Sequence, residues 1–216
     1  MLFSDYCIIV KMAKHTSQWN LSRCIEILFP PTDDEVLLKH ADETLFHEGF
    51  LKCEEQFSYC LSYQQPEVRA AIHLTKYHHH RLAIRLLGAT LARQIAAHFS
   101  NHVVIPIPLS KKRERERGYN QVLAVCLYAQ TLCPSTTIDT SLLKRTRHTT
   151  PQSELSRNER LSNLSGAFTI NSPQRLTEKP LLIVDDVATT GATFAAARAE
   201  LSALTPTSIT CLALAH

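Results

Sequence analysis

One stretch constrains the chain more than any other: Leu181-Leu182-Ile183-Val184-Asp185-Asp186-Val187-Ala188-Thr189-Thr190-Gly191-Ala192-Thr193. Leu181 to Val184 is a continuous apolar run of the kind that forms a strand buried on both faces of a parallel sheet. Two adjacent carboxylates close the run, and a short loop of threonines around one glycine follows. Phe194, Ala197, Leu201 and Leu204 then recur at helical spacing, so the loop opens a helix. Strand, acid pair, Thr/Gly loop and helix are the layout of a phosphate site at the carboxyl edge of an α/β sheet. Gly191 permits close backbone approach to an anion. The loop N–H groups, the hydroxyls of Thr189, Thr190 and Thr193, and the positive end of the helix can converge on one phosphate. Asp185 and Asp186 would then lie within reach of ribose hydroxyls or a metal-bound water.

The rest of the chain supplies the partners of that strand. Pro66 sits well at a first helical position, and Val68, Ala71, Ile72 and Thr75 share one face of the helix it opens. A second helix is expected from about Arg81 to Phe99, with Leu82, Leu86, Leu87, Leu91 and Ile95 as its stripe. His102 to Pro108 reads as a strand, and the missing donors of Pro106 and Pro108 are expected to stop it from continuing as a central ladder. Leu109 to Gln121 follows, with five basic residues against two acidic ones, and is read as a basic loop at the same sheet edge as the acid pair. Val122, Val125, Cys126, Ala129 and Cys133 give another amphipathic helix. Lys144, Arg145, Arg147 and His148 lie in a basic, hydroxyl-rich loop of the kind that closes over an anion. Ser153 to Leu164 reads as a charged helix, Ala167 to Ile170 as a strand, and Ser208 to Ala215 as a last strand.

The 216 residues allow one domain with a sizeable core, alone or with a small appendage. We expect residues 1–65 to be an irregular accessory region and residues 66–216 the α/β domain. Met12 reads as an alternative start to Met1. Seven cysteines without paired spacing predict reduced thiols and a cytoplasmic chain. Leu2 to Val10 is short, interrupted by Asp5 and not preceded by a basic residue, so no secretory signal is expected. No apolar run is long enough for membrane insertion. His40, His47, Cys53 and Cys60 are scattered ligand types without the close pairs that zinc modules use, so no zinc is expected.

The run VDDVATTGAT at 184–193 resembles the ribose-5-phosphate motif of type I phosphoribosyltransferases. That resemblance implies an open, mainly parallel sheet flanked by helices, binding phosphoribosyl pyrophosphate (PRPP). Asp185 and Asp186 would hold the ribose 2′- and 3′-hydroxyls, and Thr189, Thr190, Gly191, Ala192 and Thr193 the 5′-phosphate. Ser110, Lys111, Lys112 and Arg113 would meet the pyrophosphate. Arg145 and Arg147, from the lid, join Asp185 and Asp186 as candidate catalytic residues. Mg²⁺ would be carried mainly by PRPP oxygens, with no protein ligand assigned.

A second resemblance narrows the first. Arg117-Gly-Tyr-Asn-Gln121, Leu143-Lys-Arg-Thr-Arg147, Gln152-Ser-Glu-Leu155, Arg160, Asn163 and Gly166-Ala-Phe168, followed by the acid pair, are similar in order and spacing to the ComF competence proteins. The likeness runs from about Pro66 to the C-terminus and implies a role in DNA uptake during natural transformation. Two departures stand out. Where such proteins carry a C-x-x-C after Phe-Pro, this chain has Pro31-Thr-Asp-Asp-Glu35 after Phe29-Pro30, so the zinc module is expected to be lost. Purine-type relatives carry a carboxylate at the position of Thr189, and threonine is no general base near neutral pH, so a purine acceptor is not expected. The competing expectation is a non-catalytic module of the uptake machinery. In it the basic runs would meet single-stranded DNA or other uptake proteins, with Tyr119 stacking on a base. A receiver-like or NTPase domain using the acid pair is discounted, for want of any G-x-x-x-x-G-K-[ST].

Overall fold

The computed structural model describes residues 31–47, 51–146, 166–171, 179–204 and 208–216. Arg147, His148, Gln152, Arg160, Asn163 and the helix expected over 153–164 lie outside them. In chain order the elements are α1 (Asp33–Lys39), α2 (Glu43–His47), β1 (Lys52–Cys53), β2 (Ser58–Leu61), α3 (Pro66–Tyr77) and α4 (Arg81–His98). There follow β3 (Val103–Pro106), α5 (Lys111–Arg117), α6 (Gln121–Leu132), β4 (Thr137–Ile138) and β5 (Leu143–Arg145). Last come β6 (Phe168–Ile170), β7 (Leu181–Val187), α7 (Ala192–Ser202) and β8 (Ile209–Ala215). The main sheet has the order β1-β2-β8-β7-β3-β4 and is parallel throughout except for the β1–β2 pair. A separate antiparallel pair joins β5 to β6.

The two-residue period of a strand sorts the central side chains into two cores. Leu182 and Val184 of β7, with Leu212 and Leu214 of β8, meet Val68 and Ile72 of α3, Leu87 and Leu91 of α4, and Val122 and Val125 of α6. Leu181 and Ile183, with Cys211 and Ala213, meet Phe194, Ala197 and Leu201 of α7 and, from the small sheet, Leu143 and Phe168. Helices therefore cover both faces of a mainly parallel sheet, which is the α/β class expected.

Four details differ from the sequence reading. Residues 31–47 and 51–65 carry regular elements: Thr32 and Glu35 form a reciprocal capping box on α1, Leu38 and Phe46 are buried, and β2 is a parallel neighbour of β8 within the main sheet. The prolines do not keep β3 from a central place between β7 and β4. On the β7 side Val103 N–H donates to Pro180 O, just before that strand, and Ile107 N–H to Val184 O, at 2.9 Å each, so the alternate position of Pro106 faces the side where β4 has already ended at Ile138. Its missing donor costs no ladder bond. The basic run after β3 is a helix rather than a loop, because Ser110 caps it by accepting from Arg113 N–H. Lys144 and Arg145 are in a strand, because Leu142 and Leu143 are buried beside Ala167 and Phe168 and draw the flanking backbone into pairing. Among the described residues no helix is long and apolar enough to cross a membrane.

Helices α4 and α6 approach closely at Gly88. A Cβ there would lie 2.7 Å from Cδ1 and 3.0 Å from Cβ of Tyr128. The second contact is to the root of the side chain, so rotating the ring does not relieve it. Gly88→Val should therefore cost about 1–3 kcal/mol through overpacking. Thermal unfolding should show Tm lowered by roughly 2–10 °C; an unchanged Tm would contradict this packing.

Candidate functional site

The site begins with strand register. Pro106 of β3 pairs with Val184 of β7, so Ser110–Arg113 and Asp185 leave neighbouring parallel strands at the same carboxyl edge. Strand β7 outlasts its apolar run: Asp185 pairs with Ala213 and Val187 with Ala215. Both aspartates are thus strand residues, and the pleat sends them to opposite faces.

Asp185 faces α7. It shares a recess with Thr189, Gly191, Ala192 and Thr193. Its Oδ1 accepts from the Asp186 N–H at 2.8 Å. Burial, reinforced by the neighbouring Asp186, pushes its carboxyl up to about 7, against partial relief from Lys76 and Arg145. Asp186, expected from the motif to reach a ribose hydroxyl, is instead buried on the α3/α6 face. Lys76 Nζ is 3.3 Å from Oδ1, Val187 N–H donates to the same oxygen at 2.7 Å, and Gln121 Nε2 donates to Oδ2 at 2.6 Å.

Gly191 has φ 72°, the left-handed region that favours glycine, and it precedes the first turn of α7. Its open side is not empty: a Cβ would meet Gln56 Oε1 and Phe57 Cδ1 at 3.1 Å each. The segment between β1 and β2 is held over the loop, with Arg198 donating to Gln56 O at 2.9 Å and the Phe57 ring 5.7 Å from that of Phe194. His216 Nδ1 donates to Ala188 O at 2.9 Å and steadies the loop from the chain end. Thr189 is exposed, Thr193 is in the first turn of α7, and the Thr190 hydroxyl is buried without a hydrogen-bond partner in the structure.

The cations converge on the same edge. Burial and the nearby Arg113 pull the Arg145 guanidinium below its ordinary value, and Asp185 acts in the opposite direction. Arg145 therefore feels both Arg113 and Asp185, which were chosen from the sequence with it. Arg145 also lies 5.3 Å from the centre of the Phe168 ring. Lys111 and Lys112 are exposed on α5, where Lys112 pairs with Glu116 at 3.8 Å. Arg147 is outside the described residues.

Each residue of Arg117–Gln121 has a structural task. Arg117 lies over Tyr77, and Gly118, with φ 77°, ends α5 by bonding Glu114 O. Tyr119 stacks on His79 with centroids 4.2 Å apart. Asn120 Oδ1 caps α6 through Val122 and Leu123 N–H while its Nδ2 donates to Ile107 O, and Gln121 holds Asp186. Sequence reasoning gave Lys76 no role. The signal was there: Lys76 continues the Val68–Ile72 stripe at i+4 spacing, and a lysine on a buried stripe calls for an acid.

No protein-family model matches the chain. Competence protein F of Haemophilus influenzae is 38% identical over 93 residues, 42% of this chain and 39% of that protein. DNA utilization protein YhgH is 36% identical in Shigella flexneri and 35% in Escherichia coli, each over 98 residues, 43% of this chain and 39% of the relative. Over these stretches the chain is similar to a competence protein and to DNA utilization proteins, in keeping with the resemblance to ComF competence proteins read from the sequence. The matched stretch spans well under half the length of each relative.

The Asp185 carboxyl makes stability depend on pH. Because its folded value exceeds the ordinary 3.8, the folded chain holds a proton that the unfolded chain has lost between about pH 4 and about 7. The contribution of Asp185 to stability therefore falls as pH rises through that window and levels off above it. Asp185→Asn, which keeps an acceptor for Asp186 N–H, should flatten the profile between pH 4 and 7 and raise Tm at pH 8. Denaturation followed across that range tests this; identical profiles for the two proteins would refute it.

Proposed function

We propose that this chain is a type I phosphoribosyltransferase-like protein that binds PRPP with Mg²⁺ at the carboxyl edge of its sheet and serves natural competence in the cytoplasm. The observation that carries the reading is Asp185 sharing a recess with a glycine-hinged threonine loop, within electrostatic reach of Arg145, with the Thr190 hydroxyl buried and without a hydrogen-bond partner among the described residues. The names of the relatives, competence protein and DNA utilization protein, support the biological setting.

On this reading the loop N–H groups and the hydroxyls of Thr189, Thr190 and Thr193 hold the 5′-phosphate. Asp185 accepts from a ribose hydroxyl, and it sits near the positive charge that builds on the ring as pyrophosphate leaves C1. Ser110 at the start of α5, with Lys111, Lys112, Arg113 and Arg145, answers the departing pyrophosphate. An acceptor nucleophile forms the new bond to C1 while the C1–O bond to pyrophosphate breaks, and the electron pair leaves with pyrophosphate. The ion would be held mainly by the ligand's own oxygens, since Mg²⁺ keeps few protein ligands. Mg²⁺ would neutralise charge on pyrophosphate.

Calorimetric titration with PRPP, with and without Mg²⁺, should give binding that needs the metal. Asp185→Ala should weaken it by about ten- to a hundred-fold, the loss of one hydrogen bond to a charged group. Gly191→Val should be worse, since it strains φ 72° and meets Phe57. Wild-type protein that binds no PRPP at millimolar concentration would remove this reading.

A second reading, a non-catalytic binder of single-stranded DNA, is favoured by one feature. Helix α5 buries no residue, and beside it Tyr77 is 61% exposed beneath Arg117. Binding should weaken steeply with salt, and replacing Lys111, Lys112 and Arg113 by Ala should lower the slope of log affinity against log salt by about 2. A slope unchanged in the triple variant would eliminate this surface.

A further inference from the structure

The two aspartates of the acid pair are differently employed. Both oxygens of Asp186 are answered from within the protein: Oδ1 by Lys76 of α3 and the Val187 N–H, Oδ2 by Gln121 of α6. Asp185 has its Oδ1 on the Asp186 N–H and lines the recess beside the Thr/Gly loop. Turning Asp186 toward that recess would abandon Lys76, whose side chain is 21% exposed, and the buried amide of Gln121. Unpairing groups so placed is costly.

We propose that the acid pair is divided in labour: Asp185 alone faces the ligand, and Asp186 is an anchor that Lys76 and Gln121, as positioning residues, use to fix the carboxyl end of β7 against α3 and α6. The identity of the ligand rests on the phosphoribosyl reading above; the anchoring does not. Ring contacts on either side hold the two positioning residues in register. Tyr77, next to Lys76, lies 5.3 Å under Arg117, and Tyr119, two residues before Gln121, stacks on His79. His79 has φ 49°, the positive-φ non-glycine residue among those described, and such a backbone persists only where its surroundings hold it. The last turn of α3 is thus docked onto the Arg117–Gln121 segment, and Lys76 is delivered to Asp186 by that docking.

The charged groups around Asp185 are Asp186 on its own strand, Lys76 from α3 and Arg145 from β5, and Arg145 in turn feels Arg113 of α5. Gln121 of α6 is neutral. Removing the two ends of the ion pair should therefore displace Asp185 in opposite directions, which general loosening of the fold would not do.

The test uses the free protein first. Carboxyl NMR titration of ¹³C-labelled aspartate should show the Asp185 midpoint moving to higher pH in Lys76→Met and to lower pH in Asp186→Asn. Each variant should lose roughly 2–8 °C in Tm. The double variant should lose no more than the worse single one, because the two act as a unit; Lys76→Arg should keep most of the wild-type Tm. Additive losses with an unmoved Asp185 midpoint would overturn the anchoring. Titration with PRPP and Mg²⁺ then reads the division itself. Asp185→Asn should weaken binding about tenfold or more without lowering Tm, and Asp186→Asn by no more than about threefold. Asp186→Asn that loses the ligand as heavily as Asp185→Asn, at unchanged Tm, would overturn the proposal. Wild-type protein without PRPP affinity would remove the phosphoribosyl reading, while the melts and the carboxyl titration would still decide the anchoring.

Discussion

Parallel pairing of β7 with β3 on one side and β8 on the other decides where chemistry can sit on this molecule. A parallel sheet sends all its carboxyl ends to one edge, and the loops that leave that edge face one another whatever their distance in sequence. Val184 against Pro106 sets the phase. One residue past that rung is Asp185, and four residues past it on β3 is the Ser110 cap of α5. A shift of one residue would exchange Asp185 and Asp186 between the faces and send Leu182 and Val184 to the wrong core, so register is held by the same burial that makes the sheet.

This dependence explains which parts of the architecture were legible in the sequence. The apolar run, the helices at 66–77 and 81–98 and the final strand declare themselves by periodicity, and the structure has all of them close to the expected bounds. The end of β7 does not declare itself. Hydrophobicity marks where core covers a strand, whereas pairing with Ala213 and Ala215 continues past the cover through two carboxylates. Strand β2 was hidden for a related reason: Ser58-Tyr-Cys-Leu is short and mixed, and its place beside β8 is a long-range pairing that no local window contains. A charged run such as Lys111–Arg117 has no apolar face to betray a helix; the Ser110 cap and Gly118 terminus are the local signs, and both are present.

The candidate site was legible as a set of residue types and illegible as a set of directions. Asp185, the Thr/Gly loop, Arg113 and Arg145 carry the chemistry that an anion site needs, and composition and motif alone single them out. Which way each one faces depends on the pleat, on the segment that places Gln56 and Phe57 over Gly191, and on a lysine 109 residues before Asp185. Arg117–Gln121 shows the same split. As a motif it marks a resemblance; in the fold its five residues cap, terminate, stack and hydrogen-bond, and only the last touches the acid pair.

The arrangement also accounts for how two adjacent carboxylates are tolerated at a half-buried edge. Side by side on one face they would repel strongly in a medium of low dielectric. The pleat separates them across the sheet: Lys76 meets Asp186 directly, and Lys76 and Arg145 relieve Asp185 from further off. The balance is unequal. Lys76 is in direct contact with its partner, together with an amide and a backbone N–H, whereas Arg145 is itself disfavoured by burial and by Arg113. Asp185 is left with less compensation than its surroundings demand, and its carboxyl rises accordingly. A group in that condition gains most from a ligand that brings hydroxyl donors, because a donor favours the charged form that burial penalises. The strain is therefore placed on the carboxylate that lines the recess and kept off the one that holds the sheet to its helices.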